Sequence, residues 1–74
     1  MLRFEAMELI SEISTSSDLL VSATQINLQL SEEKQTRIII NSVLDEQQKE
    51  LLAFFVNKRN LKLVECPHNV WVIY

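Results

Sequence analysis

Apolar residues recur along this chain with two periods, and the period changes from helical to strand-like and back. Leu2, Ala6, Leu9, Ile10 and Ile13 stand at helical spacing, with Glu5, Glu8 and Glu12 on the other side. That spacing predicts an amphipathic helix over 2–13. The run Ser14-Thr15-Ser16-Ser17-Asp18 ends it, because such side chains compete for backbone hydrogen bonds. Residues 19–30 carry two patterns at once. Ile26, Leu28 and Leu30 alternate with Asn27 and Gln29, as in a half-buried strand, while Leu19, Ala23, Ile26 and Leu30 also fit a helical stripe capped by Ser17 or Asp18. The Val, Thr and Ile content favours the strand. So does the next segment, Arg37-Ile38-Ile39-Ile40-Asn41-Ser42-Val43, a strand dominated by β-branched residues. A polar connector, Ser31-Glu32-Glu33-Lys34-Gln35, joins the two into a hairpin.

The second helix carries the clearest signals. Asp45 is a good N-cap, and Gln48 stands three residues later in the manner of a capping box. Leu51, Leu52, Phe55 and Val56 form the buried stripe, with Leu44 closing it as a staple. Asp45, Glu46 and Glu50 come early and Lys58 and Arg59 late, which suits the helix dipole. Asn60 serves as a left-handed cap in place of glycine. A final hairpin follows, Leu61 to Cys66 and Val70 to Tyr74 around Pro67-His68-Asn69. Proline presets the first turn dihedral and Asn69 tolerates a left-handed one. In that register Cys66 faces Val70, Val64 faces Val72 and Lys62 faces Tyr74, while Leu61, Leu63, Trp71 and Ile73 take the opposite face. The whole predicts one small α+β domain over 1–74, in the order α-β-β-α-β-β. A mainly antiparallel sheet of about four strands packs in two layers against two helices. The first helix could also lie on the far face of the sheet and cover the last hairpin from both sides.

Composition narrows the chemistry. The chain is 47% hydrophobic and 23% charged, as in a folded globular protein. A domain of 74 residues buries a modest share of its surface, so a packed core, a partner or both must stabilise it. The single cysteine, Cys66, excludes an intrachain disulfide, and with His68 it offers too few soft ligands for a zinc site. The absence of glycine excludes a Walker A loop, a dinucleotide fingerprint, the common calcium loop and a GXXG clamp for RNA. Met1-Leu2-Arg3-Phe4-Glu5 shows no signal-peptide pattern, and the longest apolar runs are far too short to span a bilayer. A cytoplasmic protein without membrane association is expected.

Catalytic groups are sparse. Cys66-Pro67-His68 is the sole nucleophile and base close in sequence, and a strand-end cysteine beside a turn histidine explains it without a dyad. Glu32-Glu33 and Asp45-Glu46 read as a solvated connector and as helix N-terminal charge rather than as a metal site. No catalytic, cofactor or metal role is therefore expected, and the chain reads as a non-enzyme. Lys58, Arg59 and Lys62 form the best basic cluster, in a chain with net charge −3. The order helix then hairpin over 45–74 resembles the end of a winged-helix DNA-binding domain, on element order alone. That resemblance implies a nucleic-acid regulator using these three cations, although Ile38-Ile39-Ile40 reads as a strand where a helix-turn-helix needs a helix.

The last hairpin is apolar on both faces. Val70 to Tyr74 carries no charge and no proline, so as a free edge it would invite pairing with another chain, while as a central strand it would not. The leading expectation is a non-enzymatic regulatory or interaction module, a homodimer or bound to a protein partner. Val70, Trp71, Ile73 and Tyr74 are its expected interface residues, with Phe54 secondary. With Trp71 central to it, Trp71→Ala would weaken that contact by about 2 kcal/mol or more.

Overall fold

The computed structural model describes residues 1–30 and 35–74. Helix α1 spans Arg3–Thr15, strand β1 Ile26–Leu30, strand β2 Thr36–Asn41, helix α2 Glu46–Asn57, strand β3 Leu63–Cys66 and strand β4 Val70–Ile73. This is the α+β class and the α-β-β-α-β-β order that the alternating periods predict. Most of the polar connector lies outside the described residues, which resume at Gln35.

The strands form one antiparallel sheet in the order β1-β2-β4-β3. β2 and β3 are each antiparallel to β4 and so run parallel to one another. The β2–α2–β3 segment is therefore a split β–α–β unit with β4 inserted between its strands. This arrangement makes β4 central, so Val70 to Ile73 present no free edge.

Both helices cover the same face. Register puts Ile26, Ile38 and Ile40 on one side of the sheet with Trp71 and Ile73. Ala6, Leu9 and Ile13 of α1 and Leu52 and Val56 of α2 bury against them, joined by Leu19, Val21 and Leu44 from the connections. Leu2, expected in the α1 stripe, is exposed. It precedes the first turn, so the helical surface has not yet closed beneath it.

The predicted caps are in place on α2. Asp45 Oδ1 accepts from the Gln48 N–H at 2.8 Å, and Gln48 Oε1 accepts from the Asp45 N–H at 2.8 Å. The Gln48 side chain also donates to the Leu19 carbonyl at 2.7 Å, tying the helix start to the segment after α1. At the far end Asn60 adopts φ 57. Its N–H donates to the Asn57 carbonyl at 3.0 Å, and the Leu61 N–H donates to the Val56 carbonyl at 3.2 Å. These two bonds make a Schellman motif with asparagine in the place usually given to glycine.

The final turn keeps the predicted loop of Pro67, His68 and Asn69 with Asn69 left-handed, and one local expectation, over 19–25, changes. The final turn holds two left-handed residues, His68 at φ 65 and Asn69 at φ 60. Proline cannot supply a positive φ, so the reversal falls on the two residues after it, both from types enriched in that region. Residues 19–25 form neither strand nor helical stripe. Leu19 and Val21 drop into the core, and Leu20 between them points outward at φ 56. A short 3-10 turn, Ala23–Gln25, then leads into β1, with the Ser22 N–H held by Gln25 Oε1 at 3.0 Å. Within β1 only Ile26 is buried, because β1 is an outer strand and the helical layer does not reach its far end.

Candidate interaction surface

The helices leave the other face of the sheet uncovered. Paired residues share a face, so register defines this surface directly. One row runs Asn27, Ile39, Val72, Val64, and a second runs Asn41, Val70, Cys66. Gln29 and Arg37 form the start of a third row. Lys62 and Tyr74 lie at its other end, joined by backbone bonds of 2.7 Å and 3.0 Å. The centre is apolar and the rim is polar. Val64 and Tyr74 are exposed, and Ile39, Val70, Val72 and Cys66 are half-buried, shielded by one another and by no element among the described residues. The Arg37 guanidinium lies 5.8 Å from the centre of the Tyr74 ring. Beside it a shallow depression is lined by Arg37, Val64, Cys66, Val72 and Tyr74.

The residues expected at an interface are divided among three places. Val70 and Tyr74 lie on the open face. Trp71 and Ile73 do not: they are 5% and 0% exposed, in the core beneath the helices. The reason is strand parity, since in a strand whose alternate residues face a helical layer, 71 and 73 cannot share a face with 70, 72 and 74. Trp71 is further fixed by its indole N–H, which donates to the Ser42 carbonyl at 3.0 Å, and by Lys49 Nζ, 5.6 Å from the ring centre. Phe54 is exposed, on α2 and hence in the opposite layer, tilted against Phe55 at 6.2 Å. Ile39, Val64, Cys66 and Val72 belong to the open face without having been singled out for it. For Val64, Cys66 and Val72 the signal is the register of the last hairpin, which separates them from Trp71 and Ile73, whereas Ile39 stands between Ile38 and Ile40 with nothing local to set it apart.

The basic cluster is dispersed. Lys58 Nζ lies 2.7 Å from Glu12 Oε2, and Arg59 Nη1 lies 3.3 Å from Glu8 Oε2, so both cations tie α2 to α1. Arg59 Nε and Glu12 Oε1 face each other at 3.9 Å, both atoms buried and without a hydrogen-bond partner among the described residues. Lys62 belongs to the sheet rather than to this group. The segment Thr36–Asn41 ahead of α2 is a strand, so the arrangement lacks the helix pair that a helix-turn-helix requires.

Cys66 sits half-buried on the open face and His68 is exposed in the turn, with no hydrogen bond between them. Asp45 is engaged as the α2 cap, and Glu46 pairs with Lys49 at 3.5 Å. Glu32 and Glu33 lie outside the described residues. Among the described residues no group of His, Cys, Asp and Glu has a metal-holding arrangement, and no helix is long and apolar enough to cross a membrane. No family model, curated protein or solved structure matches the chain.

Proposed function

We propose that this chain is a non-enzymatic protein-interaction module whose working surface is the open face of its sheet. One observation carries the reading: a contiguous apolar centre, Ile39, Val64, Val70 and Val72, lies across adjacent strands with no covering element among the described residues. Scattered apolar side chains on a surface need no explanation, but a contiguous patch with a polar rim is the anatomy of a binding site. Tyr74 and Arg37 at the rim are of the types that most often anchor such contacts. The partner is a protein chain, and its apolar residues replace water over Val72 and its neighbours.

The nucleic-acid reading has less support, because Lys58 and Arg59 already pair with Glu12 and Glu8. The test is a comparison of baits in an extract of the cells that express the protein. Wild type and Glu50→Lys, a change on the exposed helical side, are expected to retain the same protein, and Val72→Lys to lose it while remaining folded. Equal recovery by all three baits, or recovery by none, sinks the proposal.

A further inference from the structure

The two edges of the sheet are built differently. The β3 edge is guarded: Lys62 precedes it, Pro67 follows it, and Glu65 within it lies 3.7 Å from Lys49. Lysine, proline and charge are the usual means of blocking strand addition. Strand β1 itself carries none of these, the charges of its segment, Glu32, Glu33 and Lys34, coming only after Leu30. Its sequence is Ile26-Asn27-Leu28-Gln29-Leu30, with no charge and no proline, and among the described residues it pairs with β2 alone. Leu28 and Leu30 stay exposed on the helix side although their partners Ile38 and Thr36 are buried. A shallow depression lined by Arg3, Leu28, Gln29, Leu30 and Thr36 opens at this edge.

We infer that the occupant of this edge is a second copy of the chain, its β1 added antiparallel about a two-fold axis through Leu28. The strand is a palindrome of polarity about that residue, and this selects the partner. Such pairing sets Leu28 against Leu28, Ile26 against Leu30, and Asn27 against Gln29 of the other copy. Every apolar residue then meets an apolar one on the helix side. Every amide meets an amide on the open side, and no like charges oppose each other. The contact is self-complementary, as a two-fold interface must be. It joins the two sheets into one continuous sheet, buries Leu28 and Leu30, and sets the two open faces side by side. It uses a different surface from the open face and stands without it.

The opposition of Asn27 and Gln29 across the axis provides the test. Both side chains are exposed, so charge can be placed there without entering the core. Sedimentation equilibrium of the wild-type chain at several concentrations is expected to show a monomer–dimer equilibrium. Asn27→Glu with Gln29→Glu puts like charges opposite each other twice across the axis and weakens the dimer about tenfold, while the change at position 29, which faces Arg37 of the same chain, is the same in both double variants. Asn27→Lys with Gln29→Glu puts opposite charges there and restores it. A monomer mass at every concentration overturns the inference. So does a dimer on which the two double variants act alike, or one abolished by Val72→Lys and untouched at positions 27 and 29. Should a double variant unfold, hydrogen exchange of the wild-type β1 amides decides the question: protection must rise with concentration there and not in β3.

Discussion

The indole N–H of Trp71 donates to the backbone carbonyl of Ser42 at 3.0 Å, while the N–H of Ser42 donates to the carbonyl of Asn69 at 3.1 Å. Ser42 is thus held from both sides by β4 and its turn, just where the chain leaves β2 for α2. A buried tryptophan with its polar atom satisfied belongs to the folded core. Trp71→Ala is expected to lower unfolding stability by about 3–5 kcal/mol, and Trp71→Phe by about 1–2 kcal/mol, through loss of the bond to Ser42. Val72→Lys, one residue along on the open face, is expected to cost about 1 kcal/mol or less. Urea titration measures all three, and a Val72→Lys loss matching that of Trp71→Ala would refute the assignment of faces.

Leu20 is an exposed leucine at φ 56, a region that costs a non-glycine residue about 1–2 kcal/mol. Glycine carries no such cost there but has more freedom to lose on folding. Leu20→Gly is therefore expected to stabilise the protein by about 0.5 kcal/mol, a gain from the first glycine in a chain that has none. A lower melting temperature in the variant would show that Leu20 has packing value at that site.

Asn60 occupies the same backbone region but within a cap. Asn60→Ala is expected to destabilise by about 1 kcal/mol, and Asn60→Gly to remain close to wild type. Asp45→Ala, at the other end of α2, is expected to cost about 1 kcal/mol. For a domain of this size each loss lowers the melting temperature by about 4–8 °C. Equal melting temperatures for Asn60→Ala and Asn60→Gly would contradict the Schellman geometry.

Glu12 and Arg59 hold the two helices together through partly buried groups. Glu12→Gln also takes away the partner of Lys58 at 2.7 Å and Arg59→Met that of Glu8 at 3.3 Å, so each single change is expected to destabilise, and the two losses together to exceed that of the double change. A double-mutant cycle in denaturant is expected to give a coupling of about 1 kcal/mol that weakens as salt is raised. A coupling of zero would mean that these charges only balance the acidic side of α1.

Much of the local structure was legible in the chain. Asp45 with Gln48 set the start of α2, Asn60 set its end, and the parity of residues 61–74 set the register of the last hairpin, because caps and alternation act between near neighbours. The composition also limited the available chemistry, and a single cysteine and the absence of glycine are properties no fold can change. What the chain could not determine alone was which side of each element meets which other element. Trp71, Ile73 and Val72 are all apolar, and only the placement of α1 and α2 on one side of the sheet makes the first two core and the third surface. Lys58 and Arg59 read as a cluster until α1 brings Glu8 and Glu12 against them. The order β1-β2-β4-β3, which places Val70–Ile73 inside the sheet and leaves Ile26–Leu30 at its edge, arises from contacts between residues far apart in sequence. Those contacts depend on burying apolar surface in three dimensions, and local periodicity carries no record of which partner does so.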